Sequence, residues 1–154
     1  MLFETDLDTN GLIKLNDKYF QFKKGVWIIT KPLVINGDLE VQPGTIIKFT
    51  RDAYLIVKGA INSLGTKKEP IYFEPLNNSW KGIYILNANI VSNLDHVYVR
   101  NTAALEDRLL RLSGGITFYK SDVIIQNSTI DGSLAEDAIN IVESHFEINQ
   151  TVIK

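Results

Sequence analysis

The sequence predicts an all-β solenoid of parallel sheets, and three observations carry that prediction. The first is a repeat. GITFYKS (115–121) returns as AINIVES (138–144), 23 residues later, and the match continues without a gap to the end of the 154-residue chain. Val123 and Ile125 fall on Phe146 and Ile148, Asn127 and Ser128 on Gln150 and Thr151, and Ile130 on Ile153. A fixed period of this size marks a stack of similar coils. The second is the spacing inside each period. Ile116/Phe118, Val123/Ile125 and Ser128/Ile130 are two apart, which is strand spacing. The third is punctuation. β-branched residues dominate the apolar runs, and Gly or Pro interrupts each of them, which disfavours helix. Three short strands per coil, each paired with its equivalent one coil on, make a parallel β-helix of about six turns.

The elements follow in chain order. Residues 1–30 read as an N-terminal cap, because a coil exposes an unpaired sheet edge that must be covered. Tyr19, Phe20, Phe22 and Trp27 supply bulk there, and DTNG and LNDK are turn-rich. Residues 31–154 form the coil. LEVQPGTIIKF and YLIVKGAINSLG are set in register through Gly44 and Gly59, with Pro43-Gly44 and Gly59 at corners. GIYIL (82–86) aligns with GITFY, and LDHVYV (94–99) with IQNSTI (125–130). Asn127 above Gln150 and Ser121 above Ser144 are expected at successive corners, where like polar side chains stack. One stretch breaks the pattern. In 102–114, Leu105, Leu109 and Leu112 lie at helical spacing with charges between them, so an inserted loop or short amphipathic helix is expected. Ile116, Phe118, Val123, Ile125, Ile139, Ile141, Phe146 and Ile148 are expected in one core. The last coil, 138–153, is expected to lack a partner above it. The chain is therefore expected to continue in a longer parent or to associate end to end with a second copy.

Composition narrows the function. The net charge is −2, so no basic field exists for nucleic acid. There is no cysteine, which removes disulfides and thiolate metal sites. No apolar stretch is long enough to span a membrane as a helix. MLFETDLDTN has neither a basic start nor an apolar core, so it is not a signal peptide. The chain is then either an internal protein or a trimmed part of an exported one.

The string VINGDLEVQPGTIIKF…YLIVKGAINSLGTKKEPIYFEP…WKGIYIL…SNLDHVYVRN resembles the right-handed parallel β-helix domains of the pectin-lyase-like superfamily. The likeness covers about residues 26–154 and is closest to non-catalytic modules of bacterial surface and secreted proteins. It implies a right-handed coil and an extracellular or cell-surface setting. For function it implies less, since one such scaffold hosts enzymes, adhesins and passive supports. The expected function is a non-enzymatic structural or interaction module with polysaccharide as the expected partner. Two alternatives are a polysaccharide lyase or hydrolase (or a fragment of one) and a phage tail-spike-like repeat.

Candidate chemistry is sparse. The outward positions of the matched strands are Tyr84, Thr117 and Asn140, then Ile124 and Glu147, then Thr129 and Val152. No two carboxylates face each other there, as glycoside hydrolysis needs, and no lone basic residue is set beside acids that could hold calcium, as β-elimination needs. No catalytic residue and no resident metal is therefore assigned. Asp131, Glu136 and Asp137 gather in one corner loop, DGSLAEDA. They are the candidate binding residues for calcium or sugar hydroxyls, with a solvated turn as the plainer reading. Trp80, in WKG, is the candidate sugar platform, with packing over the coil edge as the plainer reading. His96 and His145 sit on different coils and lack a third ligand.

Overall fold

The computed structural model describes residues 11–106 and 111–154. Strand β1 (Leu12–Asn16) is followed by β2 (Tyr19–Phe22), β3 (Val26–Ile29) and β4 (Leu33–Ile35). The next pass holds β5 (Asp38–Val41), β6 (Ile46–Phe49) and β7 (Leu55–Val57), and the next β8 (Ile61–Leu64), β9 (Ile71–Pro75) and β10 (Ile83–Leu86). Then come β11 (Ser92–Asp95), β12 (Val97–Arg100), β13 (Leu105–Glu106), β14 (Arg111–Leu112) and β15 (Gly114–Tyr119). The described chain closes with β16 (Val123–Gln126), β17 (Thr129–Asp131), β18 (Asp137–Val142), β19 (Phe146–Asn149) and β20 (Val152–Ile153).

From β2 onward, β13 and β14 aside, the chain visits three sheets in rotation. The first sheet runs β1-β2-β5-β8-β11-β16-β19, the second β3-β6-β9-β12-β17-β20 and the third β4-β7-β10-β15-β18. Every pairing within them is parallel except β1 with β2. The architecture is all-β and fits a solenoid, and its three parallel sheets resemble the three faces of a β-helix. Parallel strands buried on one face need apolar residues at alternate positions, and the inward rows have them. Phe20, Leu39 and Ile61 stack in the first sheet, with Ile47, Phe73, Val99 and Ile130 in the second and Leu55, Ile83 and Ile116 in the third, all buried in one core.

The repeat is the register of the last coils. Ile116 pairs with Ile139, Val123 with Phe146 and Thr129 with Val152. Polar corners are built on it. Ser144 Oγ accepts from Ser121 N at 2.8 Å, 23 residues away. Ser121 Oγ accepts from Ala88 N at 3.0 Å, and Ser128 Oγ from Val97 N at 3.1 Å. The hydroxyls thus satisfy backbone N–H groups of the preceding coil instead of bonding to one another. Asn87, Lys120 and Glu143 share a left-handed backbone at one corner, and His96, Asn127 and Gln150 share it at the next.

Three expectations need correction. Gly59 does not match Gly44. Leu39 pairs with Ile61 and Leu33 with Leu55, so Gly59 lies over Gly37. LEV and LIV look alike, but they belong to different sheets. Of residues 1–30, those described form β1, which folds back antiparallel on β2 at the sheet edge, and β2 and β3, which pair in parallel with β5 and β6; residues 1–10 lie outside the described residues. Within 102–114 the described residues form an antiparallel pair, Leu105↔Leu112 and Glu106↔Arg111, and not a helix; Leu109 lies outside the described residues. Leu105 is buried against Ile56 and Tyr84, with Val34, Tyr54 and Leu86 around them. The insert therefore covers the outer face of the third sheet with a small second core. Finally, Phe146 follows Val123 in register but is 62% exposed, whereas Ile139, Ile141 and Ile148 pack against the core. β19 is an edge strand, with no further strand beyond it among the described residues.

Candidate functional site

Trp80 packs inside the coil and presents no open ring face. Its indole is fully buried and stacks on Phe49 with ring centroids 4.1 Å apart. Nε1 donates to Arg100 O at 2.7 Å, which satisfies the buried N–H. The corner acids do not converge either. Asp131 ends β17 and lies on the outer face of the second sheet, while Glu136 and Asp137 are exposed at the approach to β18. Among the described residues no three His, Asp or Glu side chains gather as a metal-ligand set. Tyr84 and Thr117, expected on an open outer face, are buried.

The structure brings a different group together around Asp131. Register in the second sheet places Ile46, Tyr72, Tyr98 and Thr129 in one outward row and Lys48, Glu74, Arg100 and Asp131 in the next. The second row alternates in sign from strand to strand, the favourable order for side chains about 4.8 Å apart. Arg100 is its centre. Nη1 lies 3.9 Å from Glu74 Oε1, and Nε lies 3.8 Å from Asp131 Oδ1. The Tyr72 and Tyr98 rings stack on each other at 4.8 Å, and the guanidinium carbon is 5.1 Å from each centroid. Cation–π attraction and two carboxylates hold the guanidinium in place, though both ion pairs are long. Asp131 Oδ1 is buried and makes no hydrogen bond within the chain. The two tyrosine faces are spent on each other, so the strip presents ring edges, hydroxyls and charged tips.

A second polar ladder occupies the first sheet. Asp95 Oδ2 accepts from Gln126 Nε2 at 3.1 Å, Oδ1 accepts from Asn127 Nδ2 at 3.0 Å, and His96 Nδ1 is 2.7 Å from Oδ1. Burial pushes the Asp95 carboxyl up. The Asn127 and Gln126 amides, with His96, outweigh it and hold the group below the usual carboxylate value. A depressed carboxylate stabilises the fold above its unfolded value of about 3.9, and that contribution is lost as pH falls through the lower folded value. Asp95→Asn should therefore cost about 1–2 kcal/mol at neutral pH, the worth of hydrogen bonds to a charged group. Urea denaturation would show the variant and the parent converging as the pH falls below the ordinary carboxylate value. An equal gap at both pH values would mean that the carboxylate charge contributes nothing.

Comparison with protein-family models, with curated proteins and with solved structures finds no match for this chain. Sequence reasoning missed Tyr72, Glu74, Tyr98 and Arg100 because it tested outward positions only on the strands that repeat cleanly. The signal was present: EPIYFEP and DHVYVR each carry an aromatic and a charge two residues apart. The 26-residue step between Tyr72 and Tyr98 departs from the 23-residue period, so the two runs were never set over one another. Arg100, which was not among the outward positions tested, stands beside Glu74 and Asp131.

Proposed function

We propose that this chain is a non-enzymatic structural and interaction module built on a right-handed parallel β-helix of the pectin-lyase-like kind, belonging to a bacterial surface or secreted protein. Its second-sheet face is the surface that meets carbohydrate. The observation that carries this reading is the outward strip of Tyr72, Tyr98 and Arg100 between Glu74 and Asp131. Aromatic edges and a fixed guanidinium, repeated at rung spacing, suit a linear ligand with repeating hydroxyls. The charged row crosses four strands, β6, β9, β12 and β17, and at about 4.8 Å per step runs for about 14 Å. The Gly, Pro and Trp landmarks of residues 26–154 support the superfamily assignment, the handedness and the setting.

The position of Arg100 between two carboxylates favours a second reading, a polysaccharide lyase or hydrolase. One experiment separates the two. Immobilised neutral and acidic polysaccharides are tested for binding, and the same polymers for release of reducing or unsaturated ends. The proposal expects binding without release, weakened about tenfold in Tyr98→Ala, whose lost stacking and edge contacts are worth about 1 kcal/mol or more. Release that disappears in a folded Arg100→Gln variant would make the protein an enzyme. Binding unchanged in Tyr98→Ala would remove the strip from the account.

A further inference from the structure

The corner between the third and first sheets holds a feature that the strip does not explain. Gly37 and Gly59 stack there on consecutive coils, and neither has a side chain to fill the angle. One coil further on the corner lengthens, with five residues between β10 and β11, from Asn87 to Val91. A ledge above an indented corner results, enclosing a concavity of about 340 Å³. Its wall includes Lys18, Asn36, Asp38, Lys58, Asn87 and Asn89. Asp38 is turned to structural use, since its Oδ1 accepts from Ala60 N at 2.8 Å. Among the described residues neither lysine ammonium has a carboxylate within ion-pair distance. Both lysines and the three asparagines, Asn36, Asn87 and Asn89, are exposed and line the same space.

We infer that this corner binds a compact hydroxylated anion of monosaccharide size. The two ammonium groups take the carboxylate or phosphate, and the asparagine amides take the hydroxyls. The chemistry follows from the side chains. Ammonium groups on flexible stems are point-charge binders that accept either anion. An amide offers both donor and acceptor to a hydroxyl. A volume near the lower end of ligand sites fits a single sugar-sized molecule and not a polymer in cross-section. This site is on another corner from the tyrosine strip, and its occupancy does not depend on the carbohydrate reading.

The test is a titration of the full chain, labelled with ¹⁵N, followed by amide NMR. Gluconate supplies the carboxylate, glucose 6-phosphate the phosphate ester, and glucose the neutral control. Shifts confined to the amides of Gly37, Gly59, Asn87 and Asn89 are expected with either or both anions at about 10 mM, weakening at high salt as charges screen. Shifts from gluconate alone assign a carboxylate, and from glucose 6-phosphate alone a phosphate. The double variant Lys18→Gln/Lys58→Gln, at two exposed positions, should lose binding by about tenfold or more. Equal shifts with glucose, no shifts at these amides with either anion, or shifts that persist in the double variant would overturn the inference.

Discussion

Trp80→Ala is expected to lower the unfolding free energy by about 3–5 kcal/mol, the range for deleting a large buried aromatic side chain. The indole has no exposed surface, stacks on Phe49 at 4.1 Å and lies within the main core. Its removal leaves a cavity that neighbouring rungs cannot collapse to fill, because strands hydrogen-bonded on both sides hold their spacing. It also strips Arg100 O of the indole donor. Trp80→Phe separates these effects. It keeps most of the stacking and should cost about 1–3 kcal/mol, combining a smaller void with the lost hydrogen bond. Chemical denaturation measures both. A Trp80→Ala protein that unfolds at the parental midpoint while losing polysaccharide binding would restore the indole as a sugar contact and contradict its burial.

Gly59→Ala is expected to cost about 3 kcal/mol, near the upper end for overpacking. An added Cβ would stand 2.3 Å from Gly37 O and 2.6 Å from Gly37 C. Both are backbone atoms of the adjacent coil, so no side chain can swing aside. Relief requires the two corners to separate, which strains the hydrogen bond from Leu39 N to Ala60 O at 2.9 Å and that from Ala60 N to Asp38 Oδ1. The neighbouring Lys58→Ala is the control. That side chain is exposed, and its loss should change stability by no more than about 0.5 kcal/mol. Similar midpoints for the two variants would show that the corner is not packed as described.

Much of the fold was legible because coils that repeat without insertions carry their register in the sequence. The 23-residue match correctly placed Ile116 over Ile139, Val123 over Phe146 and Thr129 over Val152. Tyr84 over Thr117 and Leu94 over Ile125 could also be aligned from pattern alone. Register became illegible where corners change length. LEV and LIV share a pattern of side chains, yet one belongs to the first sheet and the other to the third. Strand periodicity says which residues point inward but not which face a strand joins.

The site was less legible than the fold for the same reason. Asp131 was singled out for its neighbours in sequence, Glu136 and Asp137, whereas its partner in space is Arg100 on the preceding coil. Trp80 was singled out as an aromatic beside a turn, and burial decided its role.

By itself the sequence determined the all-β class, the coil period, the inward rows of the last coils and the polar corners. These are local properties: side-chain alternation, β-branching and turn residues act over a few positions of chain. Tertiary structure alone decided that Tyr72 shares a face with Tyr98 and Arg100, that Gly37 and Gly59 share one corner and that Leu105 packs on the third sheet. Tyr72 lies 26 positions before Tyr98 and Gly37 lies 22 before Gly59, across steps that vary from corner to corner, so only stacking of the coils brings them together.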